Sequence, residues 1–372
     1  MSSNSTEASR ILSLDVFRGL TMALMVLVNS QGTRISYPIL EHAEWNGCTL
    51  ADLVFPAFLF IVGITTVISL KRHIKVESNA LLYRSIVTRT LLLFLFGMFL
   101  NAFPSHFDLA TVRVYGILQR IAICYLVCAL LYLNTSVRTQ IFIFCGILIS
   151  YWYFLTQIPI PVPGMDQLSM TRNWAGFIDT IIFSPAHLLS KTFDPEGLLS
   201  TIPAIATTLS GVLAGHFLLT AINKQKKSMM MILMGILSLL LAWIWSYYVP
   251  INKNLWTSSF VLWSSGFSLI VFGLCFFIID VLGYIKWSLP FKIFGMNALF
   301  IFIFHVVLLK IQSMFVFTLP NGSQDILRVA ISDYLFGRFR PENAGLFYAL
   351  LFLFLNFLVA AFLYRRKIFF KI

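Results

Sequence analysis

Residues 50–70 have the sequence LADLVFPAFLFIVGITTVISL, in which Asp52 is the single charged residue. About 20 consecutive apolar residues suffice for a helix to cross the hydrocarbon core of a bilayer. The whole chain of 372 residues has the same character. It is 59% hydrophobic and 11% charged, whereas typical soluble domains are about 25% charged. This composition predicts a polytopic membrane protein and excludes a soluble domain, a disordered chain, a coiled coil and a disulfide scaffold.

Other apolar runs along the chain are also long enough to form membrane-spanning helices. They are residues 12–30, 85–103, 113–133, 139–157, 199–221, 229–249, 258–280, 291–313 and 345–364. Together with residues 50–70 they predict an all-α polytopic fold with about ten transmembrane helices. The sequence has no internal repeat, so residues 1–372 are predicted to form a single integral membrane domain. Two connections are long, 158–198 and 314–344, and ordered connections of that length often carry function.

The net charge of +12 comes from Lys and Arg residues that mostly flank the apolar runs, as at 71–72, 224–227 and 365–367. Cytoplasmic connections of membrane proteins carry an excess of these residues. With ten spans the clusters fall on one side, so both termini are predicted to be cytoplasmic. Residues 158–198 and 314–344 then form extracytoplasmic loops. The membrane explains the basic charge, and we expect no nucleic-acid partner.

The cysteines do not indicate a metal or redox site. None of the five has the spacing of a zinc ribbon or of a Cys-x-x-Cys pair. The phosphate-binding, dinucleotide-binding and metalloprotease motifs are also absent from the sequence. We therefore expect no metal cofactor.

The first apolar run contains three residues that a lipid-facing helix would avoid: Asp15, Arg18 and Asn29. Such residues usually face the interior of a bundle or a water-filled cavity. In a helix Arg18 and Asn29 would share one face, roughly 16 Å apart along the axis. That face would carry a cation near one end and an amide near the other. Alternatively, Asp15 and Arg18 form a local i, i+3 ion pair that only anchors the helix.

A dense group of polar residues, 41–52, precedes and enters the second apolar run. His42 is the best candidate for a general base, because an imidazole titrates close to physiological pH. Asp52 lies about one turn into the next helix and could orient that imidazole. The alternative is a solvated loop histidine, with Asp52 as the acid that favours a helix start.

Two arginines, Arg113 and Arg120, open the fourth run seven positions apart, so we expect them on one face of a helix. Asp194 and Glu196 come just before the sixth run, where they suit the helix dipole or could hold an amine. The arginines could bind an acceptor molecule or pair with Asp52 or Asp108. In the ninth run His305 is expected to be a hydrogen-bonding partner within the bundle.

Motifs in chain order resemble the heparan-alpha-glucosaminide N-acetyltransferase family, a group of transmembrane acyltransferases. They are SLDVFRG at 13–19, MVLVN at 25–29, HAEWNG at 42–47, ADLVFP at 51–56, GILQR at 116–120, FDPEGL at 193–198, NKNLW at 252–256 and GMN at 295–297. The series extends from residue 10 to about 310 and is far more specific than any single motif.

The resemblance implies an enzyme that takes acetyl-CoA from the cytosolic side and acetylates a glucosamine-type sugar on the other side. It implies that His42 and Asn29 are active-site residues and that the protein forms a homodimer. The family's long lumenal N-terminal region has no counterpart before residue 10, and the outer loops differ. We therefore expect a bacterial-type homologue in the inner (cell) membrane, whose acceptor need not be heparan sulfate.

Under this hypothesis two further groups of residues bind the substrates. The phosphates of acetyl-CoA would lie among cytoplasmic-side cations, for which the candidates are Arg18, Arg84, Arg89, Lys292 and Arg365. The acceptor sugar would contact residues at the opposite end, for which the candidates are Trp45, Asn46, Arg113, Arg120, Trp174, Asp194 and Glu196.

Two questions stay open at this level. The acetyl group could pass directly to the amine, or through a covalent acetyl-His42 intermediate. The function could also be O-acylation of a surface polysaccharide, or transport of a sugar coupled to protons, because intramembrane charges are common in carriers.

Overall fold

The computed structural model describes residues 11–74, 76, 78–103, 108, 110–161, 167–171, 173–318 and 324–370. Within these ranges the chain forms thirteen α-helices and one short β-hairpin. The helices are α1 (Leu12–Asn29), α2 (Leu50–His73), α3 (Asn79–Ala102), α4 (Ile117–Asn134), α5 (Val137–Gln157), α6 (Trp174–Ile182), α7 (Leu198–Leu218), α8 (Lys224–Trp245), α9 (Ser258–Phe276), α10 (Leu289–Met296), α11 (Ala298–Met314), α12 (Leu327–Phe336) and α13 (Pro341–Arg365). Strands β1 (Val316–Thr318) and β2 (Gln324–Ile326) pair antiparallel.

Nine helices in the described ranges are long and apolar enough to cross a membrane, and a bent helix pair makes up to ten. The nine are α1 to α5, α7, α8, α13, and α9 together with the π-helical turn Phe277–Val281 that extends it. This confirms the predicted all-α polytopic membrane fold.

The predicted ninth span, 291–313, is broken. Its two halves, Lys286–Met296 and Ala298–Met314, meet at an angle of 71°. At the break, the side-chain Nδ2 of Asn297 donates to the carbonyl oxygen of Ile368, and its Oδ1 accepts from the backbone N–H of Phe370. The chain after α13 is thus fixed against the middle of this span.

Close backbone contacts determine which helices form the centre of the bundle. A Cβ at Gly63 in α2 would lie 2.1 Å from the carbonyl oxygen of Thr208 in α7. A Cβ at Gly295 in α10 would lie 1.9 Å from the carbonyl oxygen of Asp15 in α1. Small residues at such contacts let membrane helices approach closely. Helices α1, α2 and α7 are accordingly the most buried of the membrane-spanning helices.

The two long connections contain secondary structure. Residues 158–198 include α6, and residues 314–344 include the β-hairpin and α12. Parts of both, 162–166, 172 and 319–323, lie outside the described residues. Two shorter connections are rich in polar residues: residues 30–49, between α1 and α2, and residues 250–257, which precede α9.

Candidate active site

A buried carboxylate at the start of α2 fixes the position of His42. Asp52 is 1% exposed and stands at the third position of the helix, after the N-terminal cap Thr49. Its Oδ2 accepts hydrogen bonds from the backbone N–H groups of Ala43 and Thr49, both at 3.0 Å, and from the Thr49 hydroxyl at 3.1 Å. This capping-box arrangement holds one oxygen in place and leaves Oδ1 for other partners.

The imidazole of His42 forms a hydrogen bond with that second oxygen, Oδ1. Its Nδ1 lies 2.8 Å from Asp52 Oδ1, so the Nδ1–H tautomer donates to the carboxylate and leaves the lone pair on Nε2. The His42 side chain is 53% exposed and lines a cavity, whereas its partner is buried. A buried acid that orients a partly exposed imidazole is the arrangement a general base requires.

One cation beside this pair was not assigned from the sequence. Lys253 Nζ lies 3.1 Å from His42 Nδ1 and 3.3 Å from Asp52 Oδ1. Its partners are about 200 residues earlier in the chain, so local sequence patterns could not indicate the contact. The one sequence feature that singled out Lys253 was its position within the motif at 252–256.

Asn29 lines the same cavity from the end of α1. Its Nδ2 donates to Nε2 of His305 at 3.4 Å, and the Nδ1–H of His305 donates to the carbonyl oxygen of Ile301 at 3.1 Å. His305 is fully buried, so this chain of hydrogen bonds fixes which way the Asn29 amide faces. The expectation that His305 is a partner within the bundle is confirmed.

Three cavities that share lining residues follow one another along α1, from Arg18 near its start to Asn29 at its end. The arginine cavity, about 370 Å³, is lined by Arg18 and Arg89 and mostly by apolar side chains. It shares Met25 and Ile117 with the central cavity, about 100 Å³, which contains His42, Asn29, Glu196 and Lys253. The central cavity in turn shares Val28, Asn29 and His42 with the loop cavity of about 330 Å³, which is lined by residues 31–42 and Arg328.

The arginine cavity has its cations at one end. Arg18 donates to the carbonyl oxygen of Gly295 and lies 3.5 Å from Asp15, the predicted local ion pair. The guanidinium of Arg89 lies 4.6 Å from the centre of the Tyr125 ring, and its buried Nε has no hydrogen-bond partner among the described residues.

The other three predicted cations do not line this cavity. Arg84 and Arg365 are exposed, and the Lys292 ammonium lies 6.0 Å from the centre of the Tyr364 ring. Of the cations predicted for the donor, the structure brings together Arg18 and Arg89.

The expectation that Arg113 and Arg120 share a helix face is wrong. Helix α4 begins at Ile117, and Arg113 lies in the extended segment before it. Arg113 donates from Nε and Nη2 to both oxygens of Asp194, at 2.7 and 2.5 Å, and from Nη2 to Glu196. Neither Asp52 nor Asp108, the alternatives drawn from the sequence, is the partner.

Arg120 is held by the same segment of chain. It is 1% exposed, and its Nη2 donates to the carbonyl oxygens of Pro195 and Gly197 and to the hydroxyl of Ser200. Its guanidinium lies 4.9 Å from the centre of the Trp256 ring. The two arginines therefore meet at residues 194–200 from different directions, and they fix the start of α7 next to the central cavity.

The charges in this cluster depend on one another. Burial raises the pKa of Asp194, but the hydrogen bonds and charge of Arg113 outweigh it and bring the pKa below its ordinary value. Burial lowers the pKa of Arg113, and the two carboxylates raise it above its ordinary value. In α6, burial raises the pKa of Asp179 to about 6, despite hydrogen bonds from the N–H groups of Leu198 and Asp194.

Replacing Asp194 with asparagine is expected to lower stability by about 3–5 kcal/mol, because it breaks a buried ion pair and leaves Arg113 under-compensated. The measurement is the unfolding midpoint in detergent, followed by tryptophan fluorescence, with Glu44→Gln as the exposed control. Since the pKa of Asp194 is lowered, the difference from wild type is present at neutral pH and shrinks as the pH falls through that pKa. Equal midpoints for the two variants would contradict a stabilising ion pair.

The remaining predicted acceptor residues hold loops together. Trp45 Nε1 donates to the carbonyl oxygen of Leu168, and its ring packs edge-on against Phe193. Asn46 Oδ1 accepts from Asn252 Nδ2. Trp174 Nε1 donates to the carbonyl oxygen of Ile158. Of the seven residues predicted to contact the acceptor, Glu196 is the one that lines the central cavity with His42.

These features define an integral membrane protein whose helix bundle contains neighbouring cavities, one of them lined by the histidine of an imidazole–carboxylate pair. A family model described as heparan-alpha-glucosaminide N-acetyltransferase, catalytic, matches residues 10–249. The chain belongs to this family.

Two curated relatives are similar over most of this chain. The heparan-alpha-glucosaminide N-acetyltransferase of Mus musculus is 29% identical over 359 residues, covering 82% of this chain and 54% of that protein. The Homo sapiens protein of the same name is 30% identical over 356 residues, covering 80% and 53%. The chain thus spans about half the length of the curated relatives it matches. Asn29, His42 and Asp52 fall within the matched family region, and Lys253, His305 and Arg328 come after it in the chain.

Proposed function

We propose that the protein is a transmembrane acetyltransferase that moves an acetyl group from cytosolic acetyl-CoA to the amine of a glucosamine-type sugar on the extracytoplasmic side. The observation that carries this proposal is that the cavity lined by Arg18 and Arg89 shares Met25 and Ile117 with the cavity lined by His42, which is paired with Asp52. Such an arrangement solves a physical problem, because the charged nucleotide of the donor stays at one end while its acyl end reaches the other. The family membership supports the same reaction.

The dimensions and chemistry of the arginine cavity fit the donor. Phosphate groups need several cationic partners, and Arg18 and Arg89 supply two of them at one end. The rest of the lining is mostly apolar, which suits the pantetheine chain. Met25 and Ile117 mark the passage to the central cavity, where a thioester carbonyl would lie beside Asn29 and His42.

In the reaction we propose, His42 Nε2 takes a proton from the sugar amine as its nitrogen attacks the acetyl carbon. The new C–N bond forms, the C–S bond breaks, and the same proton returns from His42 to the sulfur of CoA. The Asn29 amide can donate to the carbonyl oxygen while it carries negative charge, and one such donor contributes roughly 2.7–4 kcal/mol in other enzymes. No metal is needed for these steps.

The acceptor would occupy the loop cavity. Glu41 and Arg328 provide one charge of each sign there, and the Gln31 side chain, 8% exposed overall, has a buried Oε1 without a hydrogen-bond partner among the described residues. Carboxylate, guanidinium and amide groups are suited to an ammonium group and to hydroxyl groups of a sugar. Glu196 would contact the acceptor from the central cavity. The other candidates, Trp45, Asn46, Arg113, Arg120, Trp174 and Asp194, would act by holding the loops around it.

The direct test uses the purified protein in liposomes with labelled acetyl-CoA on one side and glucosamine on the other. We expect a labelled N-acetyl sugar that requires both substrates. A labelled ester would favour the alternative O-acyltransferase. Unchanged sugar that crosses the membrane without acetyl-CoA would instead identify a transporter.

Replacing Arg89 with glutamine is expected to weaken CoA binding about tenfold to a hundredfold, since a hydrogen bond to a charged group contributes about 1.5–3 kcal/mol. The measurement is the Kd of CoA for the detergent-solubilised protein. Arg138→Gln is the matched control, because Arg138 is an exposed arginine that does not line the cavity. A Kd that changes equally in both variants would remove Arg89 from the donor site.

The setting of the enzyme is part of the same proposal. We infer a bacterial cell membrane with both termini on the cytoplasmic side, so that the arginine cavity opens toward cytosolic acetyl-CoA. The basic clusters beside the apolar runs support this orientation. A homodimer, implied by the family resemblance, stays a prediction.

A further inference from the structure

Lys253 is a mostly buried cation beside the proposed general base His42. It comes from the short connection 250–257, which is fixed by hydrogen bonds of Asn252 to Asn46 and to the N–H of Leu255. Its ammonium lies 3.1 Å from His42 Nδ1 and 3.3 Å from Asp52 Oδ1, and its side chain is 16% exposed. It therefore contacts both members of the pair.

His42 Nδ1 cannot form hydrogen bonds with Lys253 and with Asp52 at the same time. If Nδ1 carries a hydrogen, it donates to Asp52 Oδ1, which is also ion-paired with Lys253. If Nδ1 carries the lone pair, it accepts from Lys253, and Nε2 is protonated and cannot act as a base. The first state keeps both the hydrogen bond to the carboxylate and the ion pair, which favours it over the second.

The charge of Asp52 alone would work against a neutral imidazole. A carboxylate that is 1% exposed has lost most of its hydration, and it favours a proton on any neighbouring base. With no other cation, the stable state would be an imidazolium–carboxylate ion pair, in which Nε2 is already protonated. An ammonium group 3.3 Å from Oδ1 compensates the carboxylate and removes that preference.

The charged groups further from His42 each have partners of their own. Glu196 lines the central cavity but is ion-paired with Arg113. In the loop cavity, Glu41 accepts from the N–H and hydroxyl of Ser36, and Arg328 donates to the backbone oxygen of Asn29. On the α1 and α11 sides His42 faces the Asn29 amide with His305 behind it. Among the described residues, Lys253 and Asp52 are the charged groups in direct contact with the ring.

We propose that Lys253 is a positioning residue that provides the counter-charge to Asp52 and so keeps His42 a neutral base with its lone pair on Nε2. The same positive charge assists the second half of the reaction, because it favours release of the proton from the imidazolium to the sulfur of CoA. This inference deepens the proposed function and rests on it for its kinetic consequence. The state of the His42 ring can be measured without turnover.

The kinetic test compares Lys253→Met with Lys253→Arg in pH profiles of kcat/KM. Removing the charge is expected to raise the acidic pKa of the profile by about 1–2 units, since an opposite or like charge at this distance shifts a pKa by that order. Well below both pKa values the methionine variant should be about 10- to 100-fold slower, as a shift of 1–2 units requires, and the difference should disappear as the pH rises above both. The arginine variant should keep the wild-type profile, as should Lys191→Met, which removes an exposed lysine from the 158–198 connection.

A second measurement separates this inference from the proposed function. Diethyl pyrocarbonate reacts with neutral imidazole, and mass spectrometry of the peptide containing His42 gives the pH dependence of its labelling without any substrate. The pH midpoint of His42 labelling should rise in Lys253→Met by the same amount as the acidic pKa of the kinetic profile. An unshifted midpoint in that variant overturns the role of Lys253 even if the protein is an acetyltransferase. A shifted midpoint with no acetyl transfer in wild type overturns the proposed reaction and leaves the electrostatic role intact.

Discussion

Replacing His42 with alanine is expected to reduce acetyl transfer by about 10²–10⁴-fold, the range that a general base contributes, while CoA binding is retained. The reason is the geometry of the ring. Its Nδ1 is held by Asp52, and its Nε2 is the remaining nitrogen that a substrate amine can reach. Because His42 is 53% exposed, its removal leaves no buried cavity, and the fold should persist.

The measurement is the rate of N-acetyl sugar formation at saturating acetyl-CoA, together with the Kd of CoA for the same preparation. His73→Ala is the matched control, since His73 is an exposed histidine at the other end of α2 with a local bond to the carbonyl oxygen of Ser69. A His42→Ala variant that retains more than a tenth of the wild-type rate would refute the base assignment. If CoA binding were lost as well, the histidine would act in donor binding instead.

The role of His42 differs between direct transfer of the acetyl group and transfer through a covalent intermediate, the two routes left open by the sequence. In a direct transfer His42 handles only a proton, whereas in the covalent route its Nε2 carries the acetyl group between two half-reactions. Both routes use the nitrogen that Asp52 leaves available, so geometry does not separate them. Rapid quenching of wild type with labelled acetyl-CoA and no acceptor does, because a label on the protein would indicate the covalent route.

Local patterns in the sequence predicted the parts of the structure that depend on neighbouring residues. Apart from the broken span at 291–313, the apolar runs predicted the spans to within several residues, since a helix must be long enough to cross the bilayer. The pairing of His42 with Asp52 also followed from the sequence, because ten residues of loop and a capping helix start bring them together. Helix geometry predicted that Asn29 lies at the opposite end of α1 from Arg18, and the structure has α1 end at Asn29.

Contacts between distant segments were not predictable in the same way. The run 291–313 is mostly apolar, and the break within it involves Asn297, whose partners Ile368 and Phe370 lie about 70 residues further on. Helix periodicity suggested a shared face for Arg113 and Arg120, but the chain before Ile117 is extended and turns toward Asp194. Such long-range pairings require the three-dimensional arrangement of the helices.

Replacing Asp52 with asparagine should reduce kcat by up to about 10⁴-fold, although the change removes only a charge and keeps the size of the side chain. The backbone N–H groups of Ala43 and Thr49 that point at Oδ2 can be satisfied only by an oxygen, so the amide must place its NH₂ group where Oδ1 was. That NH₂ group donates to His42 Nδ1, which must then be the acceptor. The ring changes to the tautomer with hydrogen on Nε2 and loses its capacity as a base.

The measurement compares kcat for Asp52→Asn, His42→Ala and the double variant, with CoA affinity as the check on folding. Residues that act as one unit are strongly non-additive, so the double variant should be no slower than the slower single variant. If the loss of kcat in the double variant equalled the product of the two single losses, Asp52 and His42 would act independently. Full activity of Asp52→Asn would mean that the buried carboxylate serves only to cap α2, and the proposed base would then lack the group that orients it.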